Sequence, residues 1–133
     1  MRLGSYRFGE FELDLDRYQL LRRGTGVKLE GLPLQLLILL VRRNGSVVSR
    51  QEIESDLWGK DVFVDAEQGI NTAIRKIRQV LRDRPQRPRY IQTVVGKGYR
   101  FLAADVIEYE AERNLVTMEE LGQAIRAAAG LDG

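Results

Sequence analysis

EQGINTAIRKIRQVLRDR, residues 67–84, is the stretch from which the rest of the chain can be organised. Its apolar residues Ile70, Ile74, Ile77 and Leu81 recur at steps of four, three and four, drawing one stripe along a helix. The opposite face gathers Gln68, Asn71, Thr72, Arg75, Gln79 and Arg82, with Lys76 and Arg78 flanking it. Amides, a hydroxyl and guanidinium groups can hydrogen-bond the edges of DNA bases, while flanking cations suit phosphates. Surface helices ordinarily mix their signs, but here the acids are Glu67 and Asp83, one towards each end. A basic helix face is more often a solvated surface than a nucleic-acid site, so the following residues matter. Arg84, Arg87 and Arg89 carry the positive charge into a loop, and a Gly-rich hairpin comes next.

A chain of 133 residues suits one domain with a modest core. Apolar content of 44% and charged content of 30% describe an ordinary globular protein. The sequence has no cysteine, which excludes disulfides and thiolate metal sites, and no histidine, the commonest general base and metal ligand. Carboxylate catalysis remains open, yet no nucleophile–base pair, metal cluster or phosphate loop is present. The expectation is a protein that is not an enzyme and holds no metal or cofactor. The longest greasy run, residues 32–41, is interrupted by Pro33 and Gln35 and falls well short of the roughly twenty residues of a membrane span. The start, MRLGSYRFGE, lacks the apolar centre of a signal peptide. A cytoplasmic location is expected.

The net charge of +2 conceals an asymmetry. Residues 67–101 carry nine bases against two acids, +7, whereas residues 102–133 carry two bases against seven acids, −5. A basic block in an otherwise neutral-to-acidic chain is the footprint of a polyanion binder.

Residues 6–30 read as short antiparallel strands. Tyr6 and Phe8, then Phe11, Leu13 and Leu15, alternate with charged residues, and Gly9-Glu10, Asp16-Arg17 and Gly24-Thr25-Gly26 punctuate them. Pro33 opens a buried helix that Asn44-Gly45 ends. Val47-Val48 is an extended step, and Ser49 with Glu52 forms a capping box for a second helix that stops at Gly59. The loop before the basic helix holds Val62, Phe63 and Val64, suited either to packing beneath the loop or to contact with a partner. After that helix, Pro85 and Pro88 prevent continuation. Residues 90–94 form a strand, Gly96-Lys97-Gly98 a turn and Tyr99-Arg100-Phe101 a return strand.

The stretch INTAIRKIRQVLRD followed by YIQTVVGKGYRF resembles the winged-helix DNA-binding domain of OmpR/PhoB-type bacterial transcription regulators. The FGEFELD and PLQLLILL segments also fit, so the similarity covers about residues 5–102. The resemblance implies an α+β winged helix-turn-helix: an N-terminal antiparallel β-meander, three helices and a C-terminal β-hairpin wing. The winged-helix domain is expected over residues 1–103, with an acidic extension over residues 104–133.

Carried onto this chain, the resemblance implies a recognition helix at 67–82 in the major groove and a wing at 90–101 near the minor groove. Gln68, Asn71, Thr72 and Arg75 become base readers, and Lys76, Arg78 and Arg82 phosphate contacts. Simple surface solvation is the alternative for Arg78 and Arg82. Thr93 and Lys97 become wing contacts, with Tyr99 and Arg100 in support, although Val95 stands where a minor-groove arginine is often found. Lys60, Asp61, Val62 and Phe63 match the loop that touches RNA polymerase, a candidate partner. Double-stranded DNA and a tandem dimer on direct repeats complete the implied partners, with a nucleoid-associated cytoplasmic location. With the domain placed at the start of the sequence, the expectation is an arrangement without a preceding phosphoacceptor receiver, more similar to the ToxR/CadC-like branch than to two-component regulators. An excised fragment and a naturally short protein both fit that arrangement.

In the extension, Thr117 with Glu120 makes a second capping box, and Met118, Leu121, Ile125 and Ala128 mark a short amphipathic helix. It is expected to pack on the domain or on a second copy, and its acidity could compete with DNA. The competing function is a winged-helix protein–protein module whose basic face binds an acidic partner. Such a docking face should expose apolar anchors, and this one shows amides and arginines.

Overall fold

The computed structural model describes residues 3–59, 65–102 and 106–109. The chain begins with four strands, β1 (Ser5–Phe8), β2 (Phe11–Asp14), β3 (Gln19–Arg22) and β4 (Thr25–Val27). Each pairs antiparallel with its neighbour in sequence, giving the expected meander. Its turns are fastened by carboxylates. Asp14 Oδ1 accepts from the amides of Asp16 and Arg17, both at 3.1 Å. Glu10 accepts from Arg22 Nε at 2.7 Å and Arg23 Nε at 2.9 Å. The bond from Arg22 leads the influences that hold the Glu10 carboxyl below the ordinary range.

Helix α1 (Gly31–Arg42) buries Leu34, Leu36, Leu37, Ile38, Leu40 and Val41, forming the centre of the core. It starts two residues before Pro33, the residue expected to open it. The proline remains within the first turn, where an amide has no intrahelical acceptor to lose. Strand β5 (Val48–Ser49) leads into α2 (Arg50–Trp58), and the capping box forms as expected. Glu52 N donates to Ser49 Oγ at 3.0 Å, and Ser49 N donates back to Glu52 Oε1 at 2.9 Å. Arg43 adds a bond to Glu52 Oε2 at 3.1 Å.

Helix α3 (Ala66–Leu81) is capped by Asp65, whose carboxylate accepts from Gln68 N at 3.2 Å. Ile70, Ala73, Ile74, Ile77 and Leu81 are buried, so the apolar stripe faces the core. The helix ends earlier than 82: Arg82 is its C-cap, in a left-handed conformation with φ of 56°. The stop therefore comes before the prolines. Its cause is Asp83, which turns inward to 7% exposure and accepts from three amides, those of Arg89 (2.6 Å), Ile91 (2.9 Å) and Tyr90 (3.3 Å).

Those amides launch β6 (Ile91–Val94), which pairs with β7 (Gly98–Phe101); β7 then pairs with β5 in a three-stranded sheet ordered β5-β7-β6. Gly98 is required here. Its φ is 150°, and a Cβ on it would run into the Val48 carbonyl of β5. Phe8, Phe11, Tyr90 and Phe101 form one aromatic cluster, with Phe8–Phe101 centroids 5.1 Å apart and Phe11–Tyr90 centroids 5.9 Å apart. The meander and the base of the hairpin thus share a core.

Strand β8 (Ile107–Tyr109) pairs antiparallel with β1 and becomes the edge of a five-stranded sheet ordered β4-β3-β2-β1-β8. The domain expected to close at 103 therefore has a strand beyond that point. Three residues with a single alternation give too short a pattern to find from sequence alone. The loop residues Lys60, Asp61, Val62 and Phe63 and the amphipathic helix expected around residues 117–128 lie outside the described residues.

Candidate nucleic-acid interface

The outward face of α3 is set by the burial of its inner stripe. With Ile70, Ile74 and Ile77 fixed against the core, Gln68, Asn71, Arg75, Lys76 and Gln79 are exposed, and Thr72 is half-buried beside them. Arg82 is exposed at the C-cap. Asp65 and Glu67 stay in the first turn region, where negative charge complements the helix dipole. Asp83 is withdrawn into the core, so no carboxylate stands on the outward face beyond that first turn.

The closeness of α3 to α2 has a steric basis. A Cβ on Gly69 would stand 2.7 Å from the Trp58 ring, so α2 and α3 meet where α3 has no side chain. The same crossing brings Arg50, first residue of α2, over to α3. Arg50 Nη2 donates to Tyr99 Oη at 2.9 Å and to Asn71 Oδ1 at 3.2 Å. Its guanidinium also lies over the Tyr99 ring, 5.4 Å from the centroid. Arg50 Nη1 is shut away from solvent and has no acceptor among the described residues.

A second arginine ties α3 to the hairpin. Arg78 Nη2 donates to the carbonyl of Ile91 at 3.0 Å and to Thr93 Oγ1 at 3.1 Å. Across the hairpin, Arg100 Nε and Nη2 both donate to Gln92 Oε1, at 2.9 and 2.6 Å. The tip presents Val95, 89% exposed, followed by Gly96 and exposed Lys97. A shallow groove between α3 and the hairpin is lined by Asn71, Arg75, Arg78, Gln79 and Tyr99.

The sequence-derived residues therefore divide. Gln68, Arg75, Lys76, Arg82 and Lys97 stand exposed on the surface. Asn71, Arg78, Thr93 and Arg100 are already engaged with the protein. Tyr99 is 4% exposed and serves as a pillar for Arg50 rather than as a surface group. Sequence reasoning missed Arg50, Gln92 and Asp83 as organisers of this face. One signal for Arg50 was present: a cation in the first turn of a helix opposes the dipole and calls for another partner. Among the described residues no group of acidic side chains could hold a metal ion, and no helix is long and apolar enough to cross a membrane.

Comparison with known proteins agrees with this geometry. A family model described as "Transcriptional regulatory protein, C terminal" matches residues 24–101. The DNA-binding dual master transcriptional regulator RpaA of Synechocystis is 37% identical over 91 residues, 68% of this chain and 37% of that protein. The Klebsiella pneumoniae RstA DNA-binding domain, solved in complex with the RstA box, superposes with a TM-score of 0.66 at 28% identity, covering 74% of this chain and 97% of that one. The DNA-binding domain of Escherichia coli CadC gives a TM-score of 0.66 at 28% identity, over 82% of this chain and 100% of its own. The chain's match spans 34–41% of the length of these curated relatives.

Proposed function

This chain belongs to the transcriptional regulatory protein, C-terminal family, and from that premise we propose that it binds double-stranded DNA in a sequence-specific manner to regulate transcription. Helix α3 enters the major groove, and the β6–β7 hairpin lies toward the adjacent minor groove. The observation that carries the proposal is the outward face of α3. It holds amides and cations, it bears no carboxylate past its first turn, and Lys97 extends its charge along the hairpin. The RstA domain, solved on its DNA box, is a relative of the same shape. A face built for protein docking would carry apolar anchors. Among the described residues the exposed large apolar side chains are instead Leu3, Tyr18, Val95 and Ile107, none of them on α3.

In this reading Gln68, Asn71, Thr72 and Arg75 meet base edges, Lys76 and Arg82 meet phosphates, and Lys97 serves the hairpin tip. Arg78 and Thr93 keep the two reading elements in register, Tyr99 holds Arg50, and Arg100 braces the hairpin from within. Tandem binding of two copies on direct repeats, contact with RNA polymerase and a cytoplasmic, nucleoid-associated location belong to the same proposal.

Selection from random duplex DNA with sequencing, repeated across salt concentrations, tests it. The expected result is a recovered motif that Arg75→Ala erases at one or two positions. Lys76→Ala should weaken all sequences alike and lower the salt slope by about one. Uniform, steeply salt-dependent binding without a motif would reduce the face to phosphate attraction and reject sequence-specific reading.

A further inference from the structure

We infer that Arg50 is a positioning residue that fixes which atom of Asn71 faces the DNA. The inference rests on the reading of α3 as the base-contacting helix. A guanidinium has donors only, so the atom of Asn71 that meets Arg50 Nη2 at 3.2 Å must be the carbonyl oxygen. The amide of Asn71 is thereby held with Oδ1 turned toward α2 and Nδ2 left to lead outward.

The arginine is itself held in place. The Tyr99 hydroxyl accepts from the same nitrogen at 2.9 Å, and the Tyr99 ring lies beneath the guanidinium. Tyr99 is buried in the hairpin sheet, so it supplies a rigid stop. Holding Arg50 there has a cost, since Nη1 is buried without an acceptor among the described residues and the cation sits in the first turn of α2. Packing alone would be served better by an apolar side chain. What the cation adds is a fixed orientation for a neutral amide that otherwise has two.

The consequence concerns specificity. An asparagine free to rotate can pair with adenine through both amide atoms, donating to N7 and accepting from N6. With its oxygen drawn toward Arg50, Asn71 offers the groove a donor first. It then favours an edge rich in acceptors, guanine with O6 and N7 or thymine with O4, and disfavours cytosine, whose major-groove group is a donor.

The experiment is selection from random duplex DNA with the full chain, comparing wild type, Asn71→Ala, Arg50→Met, Arg50→Lys and Asn71→Asp, with thermal melting of each. Asn71→Ala should flatten one position, at which the wild type selects guanine or thymine. Arg50→Met should move that position toward adenine by about tenfold and leave the others unchanged. Arg50→Lys, which retains a donor, should restore the wild-type choice. Asn71→Asp should turn the position to cytosine, because an acceptor now leads. If Arg50→Met does not fold, the wild-type choice at the position that Asn71→Ala flattens decides: guanine or thymine upholds the inference and adenine overturns it. Wild-type selection of adenine, unchanged preference in Arg50→Met, or a failure of Asn71→Asp to turn to cytosine would overturn the inference. A motif that Asn71→Ala leaves intact would overturn it too while sparing DNA reading by α3. Absence of any wild-type motif would instead remove the reading on which the inference rests.

Discussion

Arg78 of α3 and Thr93 of β6 are joined by a hydrogen bond from Nη2 to Oγ1 of 3.1 Å, and the same nitrogen reaches the Ile91 carbonyl at 3.0 Å. The helix and the hairpin are therefore coupled by a side chain at their facing edges, in addition to the core they share. Arg78→Ala should cost about 1.5–3 kcal/mol in denaturant unfolding, the range for hydrogen bonds to a charged group. Thr93→Val should cost less, since the bond to Ile91 remains. Equal losses for the two variants would show that the Thr93 bond dominates the tie.

Asp83 makes the sharpest stability prediction. Three consecutive amides converge on its carboxylate within the core. Asp83→Ala leaves buried donors without an acceptor and should destabilise by about 3 kcal/mol. Asp83→Asn, which retains one oxygen, should lose less. Amide exchange at residues 89–91 supplies the local readout, with accelerated exchange expected there in both variants.

Gly69 and Trp58 form a reciprocal pair. In an exposed helix, Gly→Ala stabilises by about 1 kcal/mol. Here the added methyl would meet the Trp58 ring at 2.7 Å, so Gly69→Ala should destabilise the wild type by about 1 kcal/mol net. On a Trp58→Ala background the sign should reverse. A double-mutant cycle by thermal melting checks this, and simple additivity would refute it.

The pH dependence follows from Glu52. The backbone amide of Ser49, then Arg43, hold its carboxyl below the usual range in the folded state. A depressed carboxylate contributes stability above its unfolded value, near pH 4, and loses that contribution as pH falls through the lower folded value. Melting temperature should therefore drop on acidification below about pH 4. Glu52→Gln should melt lower than wild type at neutral pH and converge with it in acid. Parallel curves over the whole range would show that the cap owes nothing to charge.

The elements with strong local signals are legible in the sequence. The α3 stripe, the Ser49–Glu52 box and the Gly-rich hairpin each rest on neighbours three or four residues apart, and each forms where expected. The end of α3 is not legible in the same way because its cause is nonlocal. Asp83 reads as a surface acid until the amides six to eight residues later are brought around it. Arg50 is invisible for the same reason, its partners Asn71 and Tyr99 being 21 and 49 residues away. The exposed cations follow from helical periodicity. Which polar groups are already engaged does not, since that depends on where α2 crosses α3.

The pairing of β8 with β1 sets Ser5 opposite Tyr109 and Arg7 opposite Ile107. The described fold is thus entered and left at the same rung of one ladder. Tension applied between residues 5 and 109 acts across that ladder and not along it, so its rungs open in succession, starting at the loaded end. A pull transmitted from segments attached at those two places would peel β8 away under a small force. The load would be relieved there before it reached the α3–hairpin unit, making β8 a mechanical fuse.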